Sequence, residues 1–248
     1  METPNAYDKY YSMKHITTLI TILFLSLLSS PSLSETVTLD DLVKRNDLYF
    51  EKFSDTPFTG EVSGRQNGKI TNGKKNGFWR SYHLNGQLVY KGDYIDGREH
   101  GFWEWYYFNG EPWNKGKYKN GQKNGLWLTY HLNGILQFKH TYITGNLKGL
   151  LDGNYEIYNK DGELTLTGNY KNGQKDGFWE SYLVGGQMSW NGVYKNGKQE
   201  GHWVSYRSNG QFFSKRNYKN GKRNGLWEYF NEDGSLKSSE TWKNGIKQ

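Results

Sequence analysis

The chain has no cysteine and only four prolines in 248 residues. Disulfides, thiolate metal ligands and a lipid-bearing cysteine are therefore all excluded. The lack of disulfides does not argue against export, because a repeating sheet needs no covalent staple. Leucine, isoleucine and valine are modest, and the longest apolar run, Ile16 to Leu28, is 13 residues. That is too short for a comfortable helical membrane span, which takes about 20 residues. No serine or threonine sits in a nucleophile-elbow context, and no glycine turn carries a phosphate-loop lysine at the right spacing. What is abundant is glycine, at 31 residues, and aromatic side chains, at 17% of the chain. With so few prolines and no low-complexity tract after residue 56, the glycine is turn glycine, not linker.

The glycines are periodic. A Gly-x-aromatic signature recurs seven times, with its aromatic at Trp79, Trp103, Trp127, Tyr155, Trp179, Trp203 and Trp227, spaced 24, 24, 28, 24, 24 and 24 residues. Six residues after each aromatic comes a turn pair: Asn85-Gly86, Asn109-Gly110, Asn133-Gly134, Asp161-Gly162, Gly185-Gly186, Asn209-Gly210 and Asp233-Gly234. A fixed period of this size marks a repeat array. It disfavours an enzyme, since one copied supersecondary unit offers no obvious asymmetric cleft.

Each unit reads as a β-hairpin closed by a type I′ turn, which needs positive φ at both central residues and so selects Asn-Gly. In the second unit one strand spans about Phe78 to Leu84 and its partner about Gln87 to Ile95. A second set of glycine turns, from Asn72-Gly73 to Asn244-Gly245, links hairpin to hairpin. The expected fold is all-β: one elongated single-sheet meander of about seven to eight hairpins. A two-residue loop sets Ser81 opposite Tyr90 and Trp79 opposite Gly92, and the glycine leaves room for a large ring to lie across the neighbouring strand. Alternation then puts Trp79, Ser81, Leu88, Tyr90 and Tyr94 on one face, the expected core. A second aromatic row (Tyr82, Tyr106, Tyr130, Tyr158, Tyr182, Tyr206 and Phe230) falls on the opposite face by strict alternation. Either both faces are apolar or a bulge rotates this row back.

The N-terminal segment is separate. Lys14 and His15, the apolar run and Ser29 to Ser34 have the layout of a secretory signal peptide. This predicts a signal over 1–34, a mature start near Glu35, and a periplasmic, envelope-associated or secreted protein; an uncleaved anchor is the alternative. Met13 is the natural start of such a signal. Residues 35–57 read as a cap, with Thr38 and Asp41 opening a short helix to Arg45 and with Tyr49, Phe50 and Phe53 covering the first hairpin. The array occupies 58–248.

Catalytic, cofactor and metal sites find no residues to build them. His83 and His131 share a repeat position without completing a ligand set, and Glu104, Glu156, Glu180 and Glu228 read as a repeated solvated row. Charge is more informative. The net charge is +7, with basic residues gathered at the second turn of each unit. Like turns along one edge repeat about every 9–10 Å. Lys123, Lys175, Lys198, Lys222 and Arg223 thus mark a candidate edge for an anionic partner: an acidic protein, an envelope polymer or lipid headgroups. The alternative is that turn lysines simply keep the edges soluble. Export disfavours nucleic acid, and no small-molecule substrate is implied.

Gly-Phe-Trp-x-x-Tyr-x-x-Asn-Gly-x-Leu followed by Tyr-x-Asn-Gly resembles the MORN repeat, specifically the bacterial variant of YwqK-type proteins often labelled antitoxins. The lead-in Pro57-Phe58-Thr59-Gly60-Glu61-Val62 resembles the opening of that group, and the resemblance covers about residues 48–248. Departures are four extra residues between Tyr142 and Gly153 and weaker units at Tyr155 and after Arg216. The resemblance implies an open twisted sheet serving as an interaction or membrane-proximal module, without catalysis. The signal argues against neutralising a cytoplasmic toxin. A different class stays open: Gly101 to Gly110 locally resembles choline- and glucan-binding wall repeats, although those run nearer twenty residues.

Overall fold

The computed structural model describes residues 36–143 and 150–248. The proposed signal lies outside the described residues, as do positions 144–149 around the repeat insertion. From Gly60–Val62 to Ile246–Lys247 the chain forms one antiparallel ladder in which each strand pairs with its chain neighbours. Among the described residues no register joins the first strand of this ladder to its last, so the sheet is an open meander of consecutive hairpins.

The Trp79 unit shows the pattern. Strands Lys74–Tyr82 and Leu88–Ile95 set Ser81 opposite Tyr90 and Trp79 opposite Gly92. This is the expected register, reached by an unexpected route. Type I′ geometry belongs to the connecting turns, where Asn72 and Gly73 have φ of 49° and 75°. The Asn85-Gly86 loop instead has three residues. His83 N–H donates to Gln87 O at 2.7 Å and Gly86 N–H to His83 O at 3.0 Å, with Gly86 at positive φ. That is the turn-plus-bulge loop of longer hairpins. A register shift between Ser81 and Tyr82 then cancels the extra residue. It also moves Leu88 opposite Tyr82 and off the tryptophan face. The equivalent Phe212 accordingly packs on Tyr206 and Phe230, at 5.5 and 5.9 Å between ring centroids. The tyrosine row is not rotated back, and both faces carry rings.

Burial is concentrated in the signature tryptophans. Trp79, Trp127 and Trp179 are fully buried, and Trp103 is 2% exposed. Each indole lies on a glycine of the strand before it: Trp79 on Gly68, Trp103 on Gly92, Trp127 on Gly116, Trp179 on Gly168 and Trp203 on Gly192. The glycine opposite Trp79 therefore accommodates the ring of the next unit, not that of Trp79. A Cβ at Gly116 would collide with the Trp127 indole. The ring also satisfies its one polar atom, for Trp127 Nε1 donates to Lys117 O at 3.1 Å, and the same bond recurs at Trp103, Trp179, Trp203 and Trp227.

Two units break the glycine rule. His140 takes the slot beneath the next ring, which is reduced to Tyr155 and stacks on the imidazole at 5.9 Å. Arg216 takes the slot before Trp227. Burial pushes the His140 imidazole down to about 4, with nearby Lys123 adding to it.

The cap is a hairpin, Leu42–Arg45 with Leu48–Glu51, whose Tyr49 N–H bonds Gly73 O at 2.8 Å. Leu42, Phe58, Val62, Ile70 and Trp79 form the core beneath it. The expected helix to Arg45 is only the 3₁₀ turn Leu39–Asp41. Asp41 Oδ2 does accept from Thr38 N–H, but Val43 and its neighbours pair as a strand immediately afterwards. Tyr49 packs on the core as expected, whereas Phe53 is fully exposed.

Three outcomes follow from this packing. Trp127→Ala should destabilise the protein by about 3–5 kcal/mol, and Gly116→Ala by about 1–3 kcal/mol through overpacking alone, both read by denaturant unfolding. For His140 the folded pKa lies below the unfolded value of about 6.5. Its contribution is fully present above that value and is lost as pH falls toward about 4. His140→Gln should therefore flatten the decline in melting temperature between pH 7 and 5; identical slopes in parent and variant would contradict this.

Candidate functional site

The five predicted basic residues separate into two environments. Lys123 and Lys175 lie over the tryptophan rows instead of projecting from the turns. Lys123 Nζ is 4.2 Å from the Trp127 ring and 5.3 Å from Tyr142; Lys175 Nζ is 4.1 Å from Trp179 and 5.1 Å from Tyr194. Lys75 does the same over Trp79 at 4.2 Å, and Arg223 over Trp227 at 4.4 Å. Burial lowers the pKa of Lys123 and Lys175 and brings Lys75 down to about 8. An ammonium spread on an indole in this way contributes about 1–2 kcal/mol when desolvated.

These cations occur in alternate units only. At the matching position the Trp103 and Trp203 units carry Glu99 and Gln199, and there the covering ring comes from the strand before. Tyr90 stacks on Trp103 at 5.5 Å and Trp190 on Trp203 at 5.2 Å. Each tryptophan thus meets a cation of its own unit or a stacked ring from the strand before, in alternation, with Trp105 and Tyr155 adding tilted contacts to Trp127 and Trp179. The physical repeat is a pair of hairpins. The sequence carries the signal as a basic residue four positions before every second signature aromatic, where closeness to the turn gives it the look of turn decoration.

Lys198 and Lys222 behave differently. Lys198 stands opposite Lys195, and Lys222 opposite Lys219, across adjacent type I′ turns, with all four side chains exposed. Among the described residues no ion pair engages any of them. Like charges directly opposite are unfavourable in a ladder, so these pairs do not serve the fold. Exposed Lys74, Lys119, Lys171 and Lys243 extend the same edge.

On the face away from the tryptophans, an apolar stripe runs beside this edge. Phe78, Phe102, Leu126, Phe178 and Leu226, the middle residues of the Gly-x-aromatic signatures, are 46–50% exposed. Further in comes a row that is more organised than a solvated carboxylate ladder. Lys91 pairs with Glu104 at 2.6 Å and Lys139 with Glu156 at 3.0 Å, while Tyr106, Tyr158 and Tyr182 donate to Glu104, Glu156 and Glu180. Glu104 and Glu156 thus brace adjacent strands through their lysines, while Glu180 keeps only the bond from Tyr182 on its own strand. The histidines do not converge: His131 bonds Tyr158 O, and His140 lies within the tryptophan face.

The sequence has no significant match among curated, characterised proteins. Among solved structures, one similar chain belongs to the crystal structure of the GtfA/B complex bound to UDP and GlcNAc, at 15% identity and a TM-score of 0.21. The match covers 46% of this chain and 22% of that one, and at that score it supports no argument. The MORN repeat variant family matches residues 75–96, 99–120, 123–143, 151–172, 199–220 and 223–244, just over half of the chain. The stretch left between them holds the hairpin Gly177–Tyr182 with Met188–Lys195, which keeps the same register although its loop reads Gly185-Gly186. On the six matched repeats and the hairpin ladder they form, the chain belongs to the MORN repeat variant family.

Proposed function

We propose that this protein is a non-catalytic scaffold of the cell envelope that docks through its lysine-rich turn edge onto an anionic surface, either lipid headgroups or an acidic protein. The observation that carries the reading is the pair of unpaired lysine couples, Lys195 with Lys198 and Lys219 with Lys222. They concentrate positive charge at a local electrostatic cost, and the fold gains nothing from it. The exposed row of Phe78, Phe102, Leu126, Phe178 and Leu226 lies on the same side and supplies apolar contact beside the charge. Export through the N-terminal signal places the edge at an envelope surface in this reading. Neutralisation of a toxin by a YwqK-type antitoxin ranks second, because a cytoplasmic toxin fits an exported chain poorly.

The edge should bind vesicles containing anionic lipid and lose that binding as salt rises, since screening lengths are about 8 Å at physiological ionic strength. Each lysine near such a surface contributes about 1 kcal/mol. Replacing Lys195, Lys198, Lys219 and Lys222 with Gln should therefore abolish sedimentation with these vesicles at a melting temperature no lower than the parent's. Lys175→Gln and Arg223→Gln should instead lower the melting temperature. Equal sedimentation of the parent with anionic and neutral vesicles, together with no retention of acidic protein from envelope extracts, would leave the turn lysines a solubilising role only.

A further inference from the structure

The tryptophan face carries a second site, independent of the basic edge on the other side. The Trp203 unit has the same phase of the double repeat as the Trp103 unit but departs from it at six positions around one cavity, three of which set its space and charge. Trp105, which stacks on Trp103 at 5.3 Å, is replaced by Ser205. Asn114 is replaced by Ser214, and the slot glycine Gly116 by Arg216. The two small residues open a cavity of about 310 Å³ between the Trp190–Trp203 pair and Arg216. Its size is at the lower end of small-ligand pockets, which start at about 300 Å³.

The chemistry of the lining is specific. Trp190 and Trp203 are nearly parallel, 23° apart, and form a flat indole wall. Ser205 and Ser214 share a hydrogen bond at 2.6 Å across the floor, and Gln199 adds an amide where neighbouring units carry a cation. Arg216 rests between Trp227 and Tyr229, with its Cζ 5.4 and 5.7 Å from their ring centroids. Its Nε is buried without a hydrogen-bond partner, and none of the residues lining the cavity is acidic. A guanidinium held by aromatic rings and lacking a carboxylate is arranged to receive one from outside, in its planar fork geometry.

We propose that this cavity binds an acidic saccharide, a pyranose ring bearing a carboxylate. The apolar face of the sugar lies on the indole wall, the carboxylate meets Arg216, and ring hydroxyls meet Gln199 and Ser205. An acidic peptide has the carboxylate but no flat apolar face to match the indoles, so the observations favour the sugar.

Isothermal titration of the full chain with digalacturonate, its methyl ester and pentaglutamate tests this. The acid should bind saturably, and the ester at least tenfold more weakly. Two variants restore residues that the matching unit already carries, so the repeat tolerates both. Arg216→Gly should weaken acid binding at least tenfold, and Ser205→Trp should abolish it by filling the cavity. The comparison of acid with ester on the parent protein decides the matter even if a variant misfolds. Absent binding of digalacturonate, equal binding of acid and ester, preference for pentaglutamate, or unchanged affinity in both folded variants would each overturn the proposal.

Discussion

The structure depends on one contact, an indole lying flat on the glycine of the preceding strand. A single-layer sheet has no second layer to bury its rings, so it must bury them along its own surface. Glycine at the slot lets the ring approach the neighbouring backbone, and the Nε1 bond to a carbonyl ten residues earlier fixes its orientation. Stability therefore passes from each hairpin to the next, as in other quasi-one-dimensional repeat proteins. Where the glycine is lost the contact changes: His140 is followed by Tyr155 instead of tryptophan, while Trp227 keeps its indole against the Arg216 guanidinium.

The inner face of the indole is closed by backbone, which leaves its outer face to be covered. The chain does this with two alternating devices, a cation reaching along its own strand or a ring reaching across from the strand before. That alternation turns a 24-residue sequence period into a structural period of two hairpins, and it explains why Lys75, Lys123 and Lys175 are partly buried among otherwise exposed turn lysines. It also separates two uses of basic residues. Lys75, Lys123, Lys175 and Arg223 hold the tryptophan row, while Lys195, Lys198, Lys219 and Lys222 face solvent. The Trp203 unit is where the covering scheme is least complete, with Trp203 8% exposed beside its cavity.

Much of this fold is legible in the sequence, because turn residues recur in phase with the aromatics. The pairing of Trp79 with Gly92 followed from that phase. The loop type did not, since Asn-Gly closes both a two-residue turn and a three-residue loop, and a compensating bulge hid the difference. Leu88 was consequently assigned to the wrong face. The roles of Lys123 and Lys175 were missed for a similar reason: proximity to a turn in sequence suggested exposure, whereas register placed both on a ring. Ser205 stands out only when units of the same phase, Trp103 and Trp203, are compared, whereas Arg216 marks a weaker unit even against a single-unit template.

The alternating cover of the tryptophans is the central claim, and a swap of covers tests it most directly. Lys175→Gln removes the cation over Trp179, and Leu166→Tyr introduces a ring at the position that Tyr90 and Trp190 hold in the other phase. Thermal unfolding of the parent, the Lys175→Gln variant and the double variant is the measurement. The account predicts that Lys175→Gln lowers the melting temperature by about 2–4 °C for each kcal/mol of lost cover and that adding Leu166→Tyr restores most of it. A double variant no more stable than Lys175→Gln alone, or a Lys175→Gln variant as stable as the parent, would contradict it.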